Sequence, residues 1–333
     1  MSKHVLKRKY AKWGYIFSIP FVAAFLAFHA YPFIYQFLIA FSNMKGAGKT
    51  TIEFLPFNSP KDGSPFYFLE NFRFVLTSKS FWKSFANTWI LWLMSVGFEL
   101  GFAFLFAAWY TDRRLKIKNL FFRIVYAFPN FIAPIVVSAV ALKMSDHLNP
   151  WINDVMNSVY GWFGAQWKTT NIIYEEWPLK AYVAFLNFYM WFGYQTILIT
   201  ASMASINKEL FEAAELDGAN RVQTFFKITL PCMRPMLIFI LISTILGGLN
   251  MYDVPMMFGG GGTTNSVLTP MVWLYRQGFS GTYNYNRASA TALILGAIGI
   301  CLSLVMFYVL RDRDEAKLKK IIRRERRESK QRY

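Results

Sequence analysis

Six apolar stretches, each long enough to cross a bilayer, decide what this chain can become. They run over roughly 13–41, 83–110, 119–143, 180–204, 233–258 and 286–310, and about 20 mostly apolar residues suffice to span the hydrocarbon as a helix. Helices of soluble domains average about 11–12 residues, so six of this length argue against a soluble fold. Composition agrees. The 333 residues are 55% hydrophobic and 19% aromatic, yet carry a formal net charge of +17. A single soluble core does not reconcile so much apolar surface with so much like charge. A membrane protein does, if its basic residues are confined to loops on one side. The expected fold class is therefore all-α: a polytopic membrane protein with six transmembrane helices. Pro20, Pro32, Pro129 and Pro134 fall inside these stretches and imply kinks, which membranes tolerate where neighbouring groups satisfy the freed carbonyls.

Lys and Arg give the orientation. Five lie before the first stretch, four in the second-to-third connection (Arg113, Arg114, Lys116, Lys118), four in the fourth-to-fifth (Lys208, Arg221, Lys227, Arg234) and eleven after the sixth. These alternate segments hold 24 of the 36 basic residues. The positive-inside rule then places both termini in the cytoplasm, as an even number of spans also requires. The chain divides into a cytoplasmic N-terminus over 1–12, a transmembrane domain over 13–310 and a basic cytoplasmic tail over 311–333. The basic start leads into an apolar stretch too long for a cleavable signal core, so the first helix is expected to stay. Its basic residues are accounted for as topology signals, which leaves membrane lipid and not nucleic acid as the expected contact. The external segment 42–80 is rich in Gly, Pro, Ser and Asn and should be irregular. The segment 147–178 carries Trp151, Ile152, Val155, Val159 and Trp162 at helical spacings, which fits a short helix at the membrane–water interface.

The fourth-to-fifth connection, 207–231, is unlike a short basic loop. Asn207 is placed to cap a helix start, and the acids Glu209 and Glu212 suit its positive end. Ala213 and Ala214 favour helix and allow close approach, and Gly218 suits a left-handed turn. A second helix would carry Val222, Phe225, Phe226 and Ile228 and end at Pro231. The product is a helix–turn–helix outside the bilayer, with an acidic and apolar face that nothing else in the chain clearly covers.

Glu212-Ala213-Ala214, then Gly218, then Ile228, Leu230 and Pro231 resemble, with every spacing intact, the EAA loop of bacterial binding-protein-dependent ABC importers. The likeness extends across nearly the whole chain to the maltose/glycerol-phosphate type of sugar permease. Asn250-Met251-Tyr252-Asp253 and Gly259–Gly262 resemble the end of that family's fifth span and its GGP loop, although Gly262 stands where proline is usual. Asn207 likewise stands where many members have proline. The resemblance implies a permease subunit whose loop docks as a coupling helix in a cleft of a cytoplasmic ATPase dimer, through Glu212, Ala213, Ala214, Asp217 and Gly218. It implies a second homologous permease beside it and an extracytoplasmic solute-binding protein that delivers a sugar. ATP and Mg would be bound by the ATPase partner, with no cofactor in this chain. Comparison with the maltose-type permease also suggests a substrate pathway past Asn130, Tyr194, Ser243 and Asn250. Amide and hydroxyl hydrogen bonds together with aromatic faces suit a sugar. The alternative for these four is interhelical hydrogen bonding without substrate contact.

Other chemistry finds little footing. His4, His29 and His147 lie far apart without metal-ligand spacing, and no nucleophile–base cluster is evident, so neither a metal site nor an enzyme is expected. Cys232 and Cys301 read as small buried residues. Gly46-Ala47-Gly48-Lys49-Thr50 ends like a phosphate-binding loop, but the required first glycine would fall at Asn43 and no strand precedes it. Glu99, an acid inside the second stretch, reads as facing a polar cavity or pairing with a neighbour. The competing function, an ion-coupled secondary transporter, would often show internal repeats. None is convincing here, and such a protein has no need of a docking loop.

Overall fold

A computed structural model describes residues 3–46, 48, 51–61, 63, 65–111, 120–145, 151–162, 164, 172–259, 265–281 and 283–310. In chain order the helices are α1 (Lys3–Phe25), α2 (Tyr31–Ala40), α3 (Glu70–Thr77), α4 (Lys79–Thr111), α5 (Leu120–Ala127) and α6 (Pro134–Met144). There follow α7 (Trp151–Trp162), α8 (Glu176–Ala204), α9 (Lys208–Leu216), α10 (Arg221–Thr224), α11 (Leu230–Cys232) and α12 (Arg234–Leu249). The series ends with α13 (Asp253–Met257), α14 (Pro270–Phe279) and α15 (Tyr285–Leu310). Among the described residues the β structure is confined to isolated bridges, such as that between Ser42 and Phe54. The chain is an all-helical, polytopic membrane protein.

Among the described residues, four helical segments are long and apolar enough to cross a membrane: Trp13–Ala40, Lys79–Thr111, Arg234–Met257 and Tyr285–Leu310. A fifth is the pair Ile124–Phe131 and Pro134–Met144, bent by 95°. The remaining expected stretch, 180–204, lies within the 29-residue α8. Its apolar run is broken by Asn187, Gln195, Thr196 and Thr200, all buried. A helix whose polar residues face protein need not be apolar all round, so the structure is compatible with six spans.

The prolines act as more than kinks. Ala133, just before Pro134, is extended at φ −56°, ψ 127°, as steric conflict with the proline ring demands, and this breaks the third stretch sharply. Before Pro32 the chain forms a π turn, Leu26–Ala30, closed by the Tyr31 N–H on the Leu26 carbonyl. A second π turn, Phe225–Thr229, stands before Pro231 and is closed by the Leu230 N–H on the Phe225 carbonyl. Proline removes a donor and its ring crowds the carbonyl four residues back. One residue of extra register accommodates both effects, so the second helix of the 207–231 loop does not stop at Pro231 as expected but passes through it into α12.

Two compact units make up the chain. The first comprises 1–84 and 270–296. There the described residues between α2 and Phe66 form no helix, but 67–77 is helical, where an irregular segment was expected. Buried Asn71 holds this unit: its amide donates to the Ala40 and Ser42 carbonyls, both at 2.8 Å, and its side-chain carbonyl accepts from Asn286 at 3.0 Å. The Arg287 guanidinium lies 3.6 Å from the centre of the Phe74 ring. The second unit comprises 85–269 and 297–333. One of its apolar clusters joins Leu91 of α4, Ala141 of α6, Val183 and Met190 of α8 and Val254 of α13. Another joins Ala103 and Ala107 of α4, Ile199 of α8, and Met233 and Ile240 at the start of α12. Both cysteines, expected to be buried, are exposed. In a membrane protein the outside of a span is itself an apolar medium, which a thiol tolerates. The expected interfacial helix is α7, on which Val155, Val159 and Trp162 are exposed. The connection 112–118, the residues 260–264 of the Gly-rich loop and the basic tail lie outside the described residues.

Candidate functional site

Within the second unit, local chemistry shapes the segment between α8 and α12. Asn207 caps α9: its side-chain carbonyl accepts the Glu209 backbone N–H at 3.2 Å, and its amide donates to the Glu209 carboxylate at 3.1 Å. The helix ends in a Schellman motif, with Ala219 N–H on the Ala214 carbonyl at 2.9 Å and Gly218 N–H on the Glu215 carbonyl at 3.1 Å. Gly218 has φ +75°, the left-handed geometry that favours glycine. Asn220 then caps α10 through a reciprocal box with Gln223, both bonds 2.9 Å long. Two capped helices thus meet across one left-handed residue, and the backbone groups freed at each end are satisfied within the turn.

The side chains sort onto two faces. Glu212, Ala213, Asp217 and Gly218 are exposed, as are Glu209 and Glu215, while Ala214 is buried. Leu216 is 90% exposed, an apolar tip among acids. The motif is seated on the helices by Phe225, whose ring meets Phe104 of α4 edge-on at a centroid distance of 5.9 Å. Of the five residues expected to couple, the structure therefore brings all into one helix and its turn. Four point outward, and one lies on the packed side.

The four pathway candidates are less concentrated. Asn130, half-buried, sits on the 3₁₀ turn Phe128–Phe131 at the break between α5 and α6. Tyr194 is 38% exposed, its ring edge-on to Trp191 at 6.4 Å. Ser243 is half-buried within α12. Asn250, exposed, follows the last turn of α12 and donates its amide to the Leu246 carbonyl at 2.9 Å. Gly193 brings the first two onto adjoining elements: a Cβ there would lie 2.0 Å from the Tyr126 carbonyl oxygen and 2.9 Å from Ala127 Cα. Among the described residues no hydrogen bond joins one of the four to another.

Glu99, expected to face a polar cavity or pair with a neighbour, lies in a buried polar seam whose partner residues the sequence did not identify. Glu99 of α4 accepts a hydrogen bond from the Gln195 side chain of α8, and both are buried. Two turns away Asn187 donates to the Val183 carbonyl at 3.0 Å and approaches the Met251 sulfur at 3.5 Å. The only signal in the sequence was an amide inside an apolar stretch, and apolar periodicity alone does not say which face such an amide occupies.

Comparison with known proteins bears on this arrangement. Residues 99–315 match the family described as binding-protein-dependent transport system inner membrane component. The chain is 26% identical over 299 residues to the arabinooligosaccharides transport system permease protein AraP of Halalkalibacterium halodurans, covering 89% of this chain and 84% of that one. It is 24% identical over 314 residues to the lactose transport system permease protein LacF of Rhizobium radiobacter, covering 94% and 98%. In fold it is similar to a crystal structure of a bacterial ABC transporter involved in the import of the acidic polysaccharide alginate. The TM-score is 0.69 at 20% identity, over 93% of this chain and 99% of that one. The family match takes in the capped helix–turn–helix, the break at Asn130 and the seam between α4 and α8, and it covers well over half the chain. This protein belongs to the inner membrane components of binding-protein-dependent transport systems, and is a multi-pass permease subunit, not an enzyme.

Proposed function

We propose that this chain forms half of the translocation pathway of an ATP-driven importer for a sugar or oligosaccharide. The observation that carries this reading is the exposed acidic and apolar face of α9, held rigid by two caps and a left-handed glycine. A surface with Glu209, Glu212, Glu215 and Asp217 around an exposed Leu216 fits a basic, apolar-floored cleft on another protein. We assign that cleft to a cytoplasmic ATPase dimer, which binds ATP and Mg. The lysine- and arginine-rich segments put α9 and both termini on the cytoplasmic side. A second homologous permease supplies the other half of the pathway, and an extracytoplasmic binding protein delivers the solute. Closure of the ATPase dimer then pushes on α9 and rocks the helices that follow. Asn130, Tyr194, Ser243 and Asn250 offer the amide, hydroxyl and aromatic groups that a sugar needs. The sugar-permease relatives support that cargo class. An ion-coupled secondary transporter gives α9 no role.

Affinity purification of the tagged chain from its native membrane in mild detergent, followed by mass spectrometry, tests the assembly. An ATPase and a second permease should co-purify, and uptake into vesicles should require internal ATP. Recovery of the chain alone in several detergents, or uptake driven by an ion gradient without ATP, would overturn the reading.

A further inference from the structure

The first unit carries a run of phenylalanine rings that leaves the first span and continues onto the segment after it. On α2, Phe33 and Phe37 are exposed, and Phe37 meets Phe41 at a centroid distance of 5.0 Å. Phe41 meets Phe72 of α3 at 5.0 Å and Phe68 at 6.3 Å. Phe68 stacks on Phe57 at 5.7 Å, and Phe57 takes Phe66 edge-on at 5.3 Å. We propose that residues 54–57 and 66–76 form an interfacial anchor, its apolar face sunk into the bilayer where headgroups meet acyl chains. The proposal rests on the spanning helix, and not on the cargo or the ATPase.

Depth follows from the span. Trp13–Ala40 has 28 residues, about 42 Å of helix at 1.5 Å per residue, close to the roughly 40–45 Å of a bilayer with its headgroups. Phe41 therefore lies at the interface and Phe37 one turn deeper. Backbone fastens the following segment there. Leu55 N–H donates to the Phe41 carbonyl and Asn43 N–H to the Glu53 carbonyl, both at 3.0 Å, beside the Ser42–Phe54 bridge. Tyr67 N–H donates to the Phe57 carbonyl at 2.8 Å. These ties hold Phe54, Phe57 and Phe66 near the end of the span with each ring 58–61% exposed. Phe66 is kept at φ +64°, a left-handed geometry that bulky residues rarely adopt and that persists where the surroundings impose it. α3 extends the same face. Leu69, Phe72 and Leu76 recur at helical spacing with both leucines exposed, while Asn71 and Val75 are buried on another face, the pattern of a helix lying in the interface.

Continuity selects lipid over protein or sugar. The run begins on a span whose most apolar window this chain leaves wholly exposed, so the medium at its start is acyl chain. The three exposed rings beyond the span are all phenylalanine, which offers hydrocarbon and no hydroxyl or N–H. Protein interfaces concentrate Tyr, Trp and Arg at their centres, and a sugar needs polar partners beside a ring. Asn58 and Lys61, exposed between Phe57 and Phe66 in sequence, supply polar groups at headgroup level. No feature of the face selects one lipid class.

The test places nitroxide labels in the full-length chain in phosphatidylcholine vesicles. Cys232→Ala and Cys301→Ala clear the background, and Phe57→Cys and Phe66→Cys take the label in turn. Collision with oxygen, which enriches in lipid, is compared with collision with a water-soluble nickel chelate. The oxygen-to-nickel ratio at 57 and 66 should be several-fold above that at Glu209→Cys and approach that at Phe37→Cys. In the wild-type protein, phosphatidylcholine with a photoreactive diazirine on a shallow acyl carbon should mark 54–57 and 66–69. Phe57→Ser with Phe66→Ser should cut that mark about tenfold, the equivalent of losing one buried aromatic ring. A ratio at 57 and 66 equal to that at Glu209→Cys would overturn the proposal. So would wild-type protein that takes no photolabel on these residues, whatever the fate of the cysteine variants. Protection that arises only when a binding protein or a second permease is added would assign the face to a protein instead. None of these results bears on whether uptake needs ATP.

Discussion

Replacement of Gly218 isolates the conformational element of coupling from its chemistry. At φ +75° the residue lies in the left-handed region, and an added Cβ would meet nothing within 4 Å. Alanine there is therefore not a steric insult to a neighbour. Its cost is the backbone preference alone, about 1–2 kcal/mol for an L-residue held left-handed. If α9 must be in its capped geometry to dock, that cost lowers the docking-competent fraction by a factor of about 5–30. Asparagine tolerates the left-handed region better than other non-glycine residues, so Gly218→Asn should recover most of what Gly218→Ala loses. A β-branched residue is worse than alanine, and Gly218→Val should lose the most. The assay is ATP-dependent uptake in proteoliposomes alongside the affinity of the ATPase for the solubilised permease, with membrane abundance as the control. Uptake and affinity should fall together in the order Gly, Asn, Ala, Val at constant abundance. Wild-type uptake by Gly218→Val would refute the reasoning. Equal losses for alanine and asparagine would show that the left-handed angle is not what matters.

Four further outcomes follow from the same geometry. Glu212→Ala should insert normally yet lose at least about 2 kcal/mol of ATPase docking, the cost of truncating one partner of a charged contact, measured by co-purification yield and uptake. Tyr194→Leu or Asn250→Ala should reduce sugar uptake about tenfold, near the worth of one hydrogen bond, while the assembly still hydrolyses ATP. Gly193→Ala forces a Cβ onto the Tyr126 carbonyl and should cost about 3 kcal/mol by overpacking, seen as a lower melting temperature in detergent. Glu99→Leu leaves Gln195 buried without this partner and should destabilise by about 1–2 kcal/mol, whereas Glu99→Gln, which keeps a hydrogen-bonding group there, should melt near the wild type.

Legibility in the sequence followed physical rules of different reach. The helix–turn–helix was readable because its signals are local: Asn207 and Asn220 each bond to backbone two or three residues away, and Gly218 answers a dihedral requirement. The apolar stretches were readable because lipid imposes one length on every span. What escaped depends on contacts between distant segments. Asn71 binds Asn286 across 215 positions, and nothing near either residue announces the other. Glu99 and Gln195 were visible as polar residues in apolar runs, but their pairing required two helices to be laid side by side. The 95° break at Asn130 was foreshadowed by Pro129 and Pro134, yet its sharpness comes from the extended Ile132 and Ala133 between the two turns.

Pro231 lies on the helical path that would carry load from the proposed docking turn. Had Pro231 ended the second helix, α9 would hang from a flexible joint, and a push on Glu212 would be absorbed there. Instead the π turn Phe225–Thr229 carries the helical path to Pro231, and Met233 N–H bonds the Thr229 carbonyl at 3.0 Å, followed by Leu237 N–H on the Met233 carbonyl at 3.0 Å. The path from Asn220 to Asn250 is thus nearly unbroken helix, with one end at the proposed docking turn and the other at a proposed sugar contact. Phe225 packs on Phe104 of α4, so α4 takes part of the same load. The soft points that remain are Gly218 and the π turn. If α9 docks as proposed, the first would govern whether force enters the helix, and the second how much α12 could tilt. On the proposed docking, coupling would run through backbone geometry as much as through the acid at the surface, so alanine and asparagine at Gly218, identical in charge, should behave differently.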